Sequence, residues 1–124
     1  MGSPCPYGQA WHHRYMVATL PVMNLPDGVV LLDVREDDEW EAGHAPQAVH
    51  VPMGQVPQRL EEIAAAFPDP PVHVVCRSGM RSAQVTGFLS GVGLPAVNVD
   101  GGMQAWAAAG RPLVAETSTP PTVL

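Results

Sequence analysis

The chain alternates short, almost wholly apolar runs with longer amphipathic ones. Val29-Val30-Leu31-Leu32-Asp33-Val34 is aliphatic and β-branched, opens on Asp27-Gly28, and predicts a buried strand. Val49-His50-Val51 predicts a second, very short strand. Between Gln58 and Phe67, Leu60, Ile63, Ala64 and Phe67 recur at helical spacing, and Pro57 suits a first turn. Val72-His73-Val74-Val75 predicts a third strand, followed by a helix over Arg81–Leu89 that ends at Gly91 and Gly93. Ala96-Val97-Asn98-Val99 predicts a fourth strand, and Met103–Ala109 a last helix stopped by Gly110 and Pro112. Strands and helices alternating across short connections imply an α/β fold, with a mainly parallel central sheet and helices on both faces. In such sheets, sites form where strands end and helices begin.

Both ends fall outside this alternation. Gly2, Pro4, Pro6 and Gly8 punctuate the start, and the end lacks an apolar period. The reading is a loose extension over 1–13, one domain over 14–113 and a flexible tail over 114–124. With 124 residues, the chain is long enough for one core.

Composition narrows the function classes. The chain is 46% apolar and 15% charged, which argues against a disordered polymer. Its net charge is -6, and all six basic residues are arginines (14, 35, 59, 77, 81 and 111). The absence of lysine excludes a Schiff-base lysine. So acidic a chain is a poor match for nucleic acid or for an anionic membrane surface, and no run approaches the length of a bilayer span. The expectation is a soluble, cytoplasmic protein whose two cysteines, Cys5 and Cys76, stay reduced. His12-His13 with Cys5 fits no zinc spacing, and neither a metal nor a cofactor is expected.

The densest chemistry lies in Cys76-Arg77-Ser78-Gly79-Met80-Arg81-Ser82, directly after a strand and directly before a helix. The loop has no proline, and Gly79 permits a positive φ. The N–H groups can therefore turn inward and continue into the orphan donors of the helix start, forming an anion cradle. Two of the six cations, Arg77 and Arg81, flank it. A thiol there is expected to be ionised. Lowering its pKa from about 8.5 to about 6.5 raises the thiolate from about 3% to roughly 75% at neutral pH, for about 2.7 kcal/mol. Cys76 is thus the predicted nucleophile. Cysteine-type phosphatases use C-x5-R around tetrahedral phosphate, whereas Cys76 and Arg81 are separated by four residues, favouring a sulfur atom carried on Cys76 itself.

Four blocks in order now resemble the rhodanese family of sulfurtransferases in its single-domain form. They are Leu32-Asp33-Val34-Arg35-Glu36 with Glu39-Trp40-Glu41-Ala42-Gly43-His44, then Ala48–Pro52, then the Cys76 loop, then Val99-Asp100-Gly101-Gly102-Met103-Gln104-Ala105-Trp106. Together they span about 15–113. Ala45, Gln47 and Met80 depart from the family pattern, which bears on substrate preference. The resemblance implies that Cys76 takes sulfur from a small anionic donor such as thiosulfate and passes it to a thiol or cyanide. Residues 77–81 (Arg77, Ser78, Gly79, Met80, Arg81) would hold the persulfide, with Arg77 contacting the donor and Arg81 fixing the loop. The alternatives are a carrier that loads sulfur for an acceptor protein without turnover, and, more weakly, phosphatase or arsenate-reductase chemistry. Asp33 and Arg35 are expected to form a structural ion pair, with Ser82 as further support. Glu36–Glu41 reads as a solvated face around Trp40, while His44 and His73 read as structural. Gly101-Gly102 is expected to let the chain pass close to the loop, and Trp106 to be core.

Overall fold

Residues 17–124 are described by a computed structural model of the chain. Cys5, His12, His13, Arg14 and the whole of 1–13 lie outside the described residues. The strands are β1 (Thr19–Pro21), β2 (Leu31–Asp33), β3 (Val49–His50), β4 (Val72–Val75) and β5 (Ala96–Asp100). The helices are α1 (Asp37–Ala42), α2 (Leu60–Ala66), α3 (Met80–Gly91) and α4 (Gly102–Ala108). The sheet runs in the order β1-β5-β4-β2-β3 with every pairing parallel, and β4 at its centre.

Side chains alternate across each strand. Leu32 and Val74 therefore face one way, packing with Ile63 of α2 and Val85 and Leu89 of α3. Leu31, Val75 and Val99 face the other, against Met103 and Trp106 of α4. Burial on both faces is why these strands read as continuous apolar runs. Parallel alignment also brings the exits of β4, β5 and β2 to one edge of the sheet.

Two elements carry no legible period. β1 is a three-residue edge strand ending on a proline and paired only with β5. The run read as a solvated face folds as α1, a helix with no buried residue and hence no apolar stripe. A capping box holds it: Glu36 and Glu39 exchange side-chain and backbone bonds, and Asp37, Asp38 and Glu39 meet the positive end of the helix. β2 is also shorter than the apolar run Val29–Val34 that predicts it, and α2 is entered through a 3-10 turn over Pro57–Arg59.

The segment 114–124 runs beside α1 and the β2–β3 connection. Val114 and His44 exchange backbone hydrogen bonds of 2.8 and 2.9 Å, Glu116 N–H donates to Glu41 O, and Thr122 N–H to Ala42 O. Val123 packs against the α4 face of the core. Single backbone bonds and one valine produce no periodicity, so the docking has no sequence signal.

Candidate active site

β4 ends at Val75, and the chain turns through Cys76–Gly79 into α3. Gly79 has φ +118°, a left-handed conformation suited to glycine, and caps the helix. This turn aims its N–H at Cys76 Sγ, 3.1 Å away. Ser82, one turn into α3, brings its Oγ to 3.2 Å from the same sulfur. The carbonyls of Cys76 and Arg77 point the opposite way and accept bonds from Met103 N (2.8 Å) and Gln104 N (3.0 Å) at the start of α4. A Cβ on Gly102 would overlap both carbonyl groups. A bare backbone at 102 is what permits α4 to orient the loop with its donors facing the thiol.

Cys76 is 1% exposed. Burial pushes its thiol up, but the Ser82 hydroxyl and the N–H groups of Ser82, Gly79 and Ser78 more than offset this, so it ionises below the ordinary value. Of the loop N–H groups expected in the cradle, that of Gly79 bonds the sulfur, and that of Ser78, together with Ser82 N–H, also favours the thiolate. Met80 projects outward, 77% exposed.

Arg81 grips Glu39 of α1 with two bonds, 2.8 and 2.9 Å. Its guanidinium brings the Glu39 carboxyl down from 4.5 to about 2, with burial opposing and the Glu36 N–H assisting. A depressed carboxylate contributes stability that is present above 4.5 and lost as pH falls from there toward 2. Glu39→Gln is therefore expected to lower stability at neutral pH, and the gap to wild type to close over that acid window. Urea unfolding at several pH values checks this; a gap independent of pH would contradict it.

Asp33 and Arg35 meet at 2.7 Å, both fully buried, at the exit of β2. Among the described residues, Arg35, Arg59, Arg81 and Arg111 all hold a carboxylate or carbonyl oxygen. Arg77 is exposed and holds none, leaving its charge available beside Cys76. His44 and His50 stack on Trp40, and His44 bonds the Ala45 carbonyl and Glu116. His73 is half-buried on β4, its pKa lowered by burial. None of these histidines is bonded to Cys76.

Two residues near the loop escaped the sequence reading. Glu39 is one, though the Glu36/Glu39 spacing of a capping box was a visible signal. Asn98 is the other: it accepts the Ser82 hydroxyl at 2.5 Å, and its only signal was a polar residue inside an apolar strand.

The rhodanese-like domain family model matches residues 22–109, which run from the end of β1 through α4. This chain belongs to the rhodanese family. YtwF of Bacillus subtilis is 45% identical over 82 residues, 66% of this chain and 77% of that one. A thiosulfate sulfurtransferase, GlpE of Pseudomonas savastanoi pv. phaseolicola, is 37% identical over 82 residues, covering 65% and 74%. The crystal structure of a rhodanese-related protein from Thermoplasma volcanium superposes with TM-score 0.69 at 29% identity, covering 78% of this chain and 97% of that one. The rhodanese-like match includes Asp33, Arg35, the Cys76 loop and Gly102, while β1 and the docked 114–124 segment lie outside it. Among the described residues, no helix is long and apolar enough to cross a membrane.

Proposed function

We propose that this protein is a sulfurtransferase that carries a sulfane sulfur on Cys76. The observation behind this is the cradle: a thiol ionising below its ordinary value, met by the Gly79 N–H and the Ser82 hydroxyl. The Cys76 thiolate attacks the outer sulfur of thiosulfate or a comparable donor. The S–S bond of the donor breaks, sulfite leaves with the bonding pair, and a Cys76 persulfide anion remains. Preorganised N–H groups stabilise that anion. Cyanide or a thiol then attacks the terminal sulfur, and Cys76 departs as thiolate. Arg77 attracts the anionic donor, while Arg81, committed to Glu39, braces the loop.

Thiocyanate formation from thiosulfate and cyanide, with a one-sulfur mass gain on the Cys76 peptide, tests the reading. Absence of both with thiosulfate and with polysulfide would refute it. Loading without turnover until an acceptor protein is added would identify a carrier instead. Arg77→Gln is expected to raise KM for thiosulfate about tenfold with a smaller change in kcat, since it removes a charge contact made on binding. An unchanged KM would remove Arg77 from the donor site.

A further inference from the structure

Ser82 is fully buried in the first turn of α3. Its Oγ lies 3.2 Å from Cys76 Sγ and 2.5 Å from Asn98 Oδ1. A hydroxyl has one proton to donate, and an amide oxygen only accepts. The Ser82 proton therefore goes to Asn98, and the bond to Cys76 must be donated by the sulfur. This chain, Cys76 S–H to Ser82 O–H to Asn98 carbonyl, is complete only while the sulfur is protonated. Once Cys76 is a thiolate, or bears a second sulfur, Sγ can only accept. Ser82 must then turn its proton to the sulfur, which leaves Asn98 Oδ1 facing a lone pair. A half-turn of the amide resolves the conflict, because Nδ2 then donates to Ser82 Oγ.

Asn98 is held for this role by the sheet. Its backbone sits opposite Val74 of β4, its N–H bonds Ala18 O at 2.7 Å, and its side chain is nearly buried beside Gly79. Arg81, a charged group near Cys76, is already engaged by Glu39, and Arg77 is exposed.

We propose that Asn98 is a positioning residue for sulfur transfer: through the Ser82 hydroxyl, its amide holds the proton chain in one direction for the Cys76 thiol and in the reverse direction for the thiolate and persulfide. The proposal rests on Cys76 being the sulfur-carrying thiol. Neither Asn98 nor Ser82 gains or loses a proton; the one released on ionisation is the thiol's, and it goes to solvent.

The test uses the full chain with Cys5→Ser, so that Cys76 is the single thiol, and follows iodoacetamide alkylation against pH. Asn98→Asp has the same shape but only accepts, so it keeps the Ser82 proton from the sulfur. Asn98→Asp and Ser82→Ala are each expected to slow alkylation at neutral pH about tenfold. The double variant should be no slower than the slower single one, because both act on one proton. An unchanged rate in Asn98→Asp, or losses that multiply to roughly a hundredfold as for independent sites, overturns the proposal. The side-chain amide signals of Asn98, followed by NMR, supply a readout without changing that residue. They should shift with the Cys76 midpoint and again on persulfide formation, and lose the pH response in Ser82→Ala. An equal response in Ser82→Ala overturns the proposal. Alkylation and the amide titration need only the thiol. Absence of both sulfur loading and thiocyanate formation would thus refute sulfur transfer alone, and an uncoupled Asn98 in a protein that turns over would refute this proposal alone.

Discussion

Cys76→Ser is expected to abolish both sulfur loading and thiocyanate formation, a fall in turnover of about a thousandfold or more. A serine hydroxyl fits the same volume, and its oxygen can accept from Gly79 N–H as the sulfur does. It remains protonated at neutral pH, however, and an oxygen cannot carry the transferable sulfur. The fold should be unchanged, so the loss is chemical. Mass spectrometry of the variant after incubation with thiosulfate, beside the wild type, reads the outcome. A one-sulfur gain in the variant would move the site to Cys5 and remove the mechanism above. Turnover retained without any gain would require a route with no covalent intermediate.

The second large effect falls on stability. Asp33 and Arg35 form a bidentate pair at 2.9 and 2.7 Å, with neither side chain exposed. The same Arg35 Nη2 donates to Gly43 O, while Arg35 O accepts from His50 Nε2. The pair thus ties the exit of β2 to the end of α1 and to β3. Asp33→Ala strands a buried guanidinium that already has one unpartnered nitrogen, Nη1. Arg35→Ala strands a carboxylate. Each single change is expected to cost about 3–5 kcal/mol, and replacing both together less than the sum, because no lone charge is then left buried. Urea unfolding of the two singles and the double measures this. A single-variant loss below about 1 kcal/mol would mean that water reaches the pair and screens it. Neither residue bonds Cys76, so the thiol of the folded fraction should keep its wild-type alkylation rate. A selective loss of that rate with stability intact would give the pair a part in the chemistry.

Both cases could be read from the chain, for local reasons. Everything Cys76 needs locally is contiguous: a strand before it, Gly79 to turn, N–H groups without proline, and a helix start. Local backbone physics decides such a turn, so the strand-to-helix turn at Cys76 was legible. The alternation of apolar runs was legible for the same reason, since strands buried on both faces and helices with one buried stripe leave periods. The Asp33–Arg35 pair was accessible because its partners are two residues apart on one strand exit.

What lacked a period or joined distant residues was decided only by packing. α1 buries nothing and β1 has three residues, so neither has a pattern to detect. The segment 114–124 is held by isolated backbone bonds to His44, Glu41 and Ala42. Arg81 was expected to brace the loop, but its partner Glu39 is 42 residues away. Asn98 reaches Ser82 because β5 pairs beside β4, across 16 residues. By itself, then, the sequence determined an α/β chain with Cys76 at a strand-to-helix turn, since backbone geometry and burial periodicity act between near neighbours. Only the tertiary structure decided which of the described arginines holds no oxygen, which carboxylate Arg81 pairs with, and which amide accepts the Ser82 hydroxyl behind the sulfur. Those choices depend on which strand exits the sheet topology places side by side.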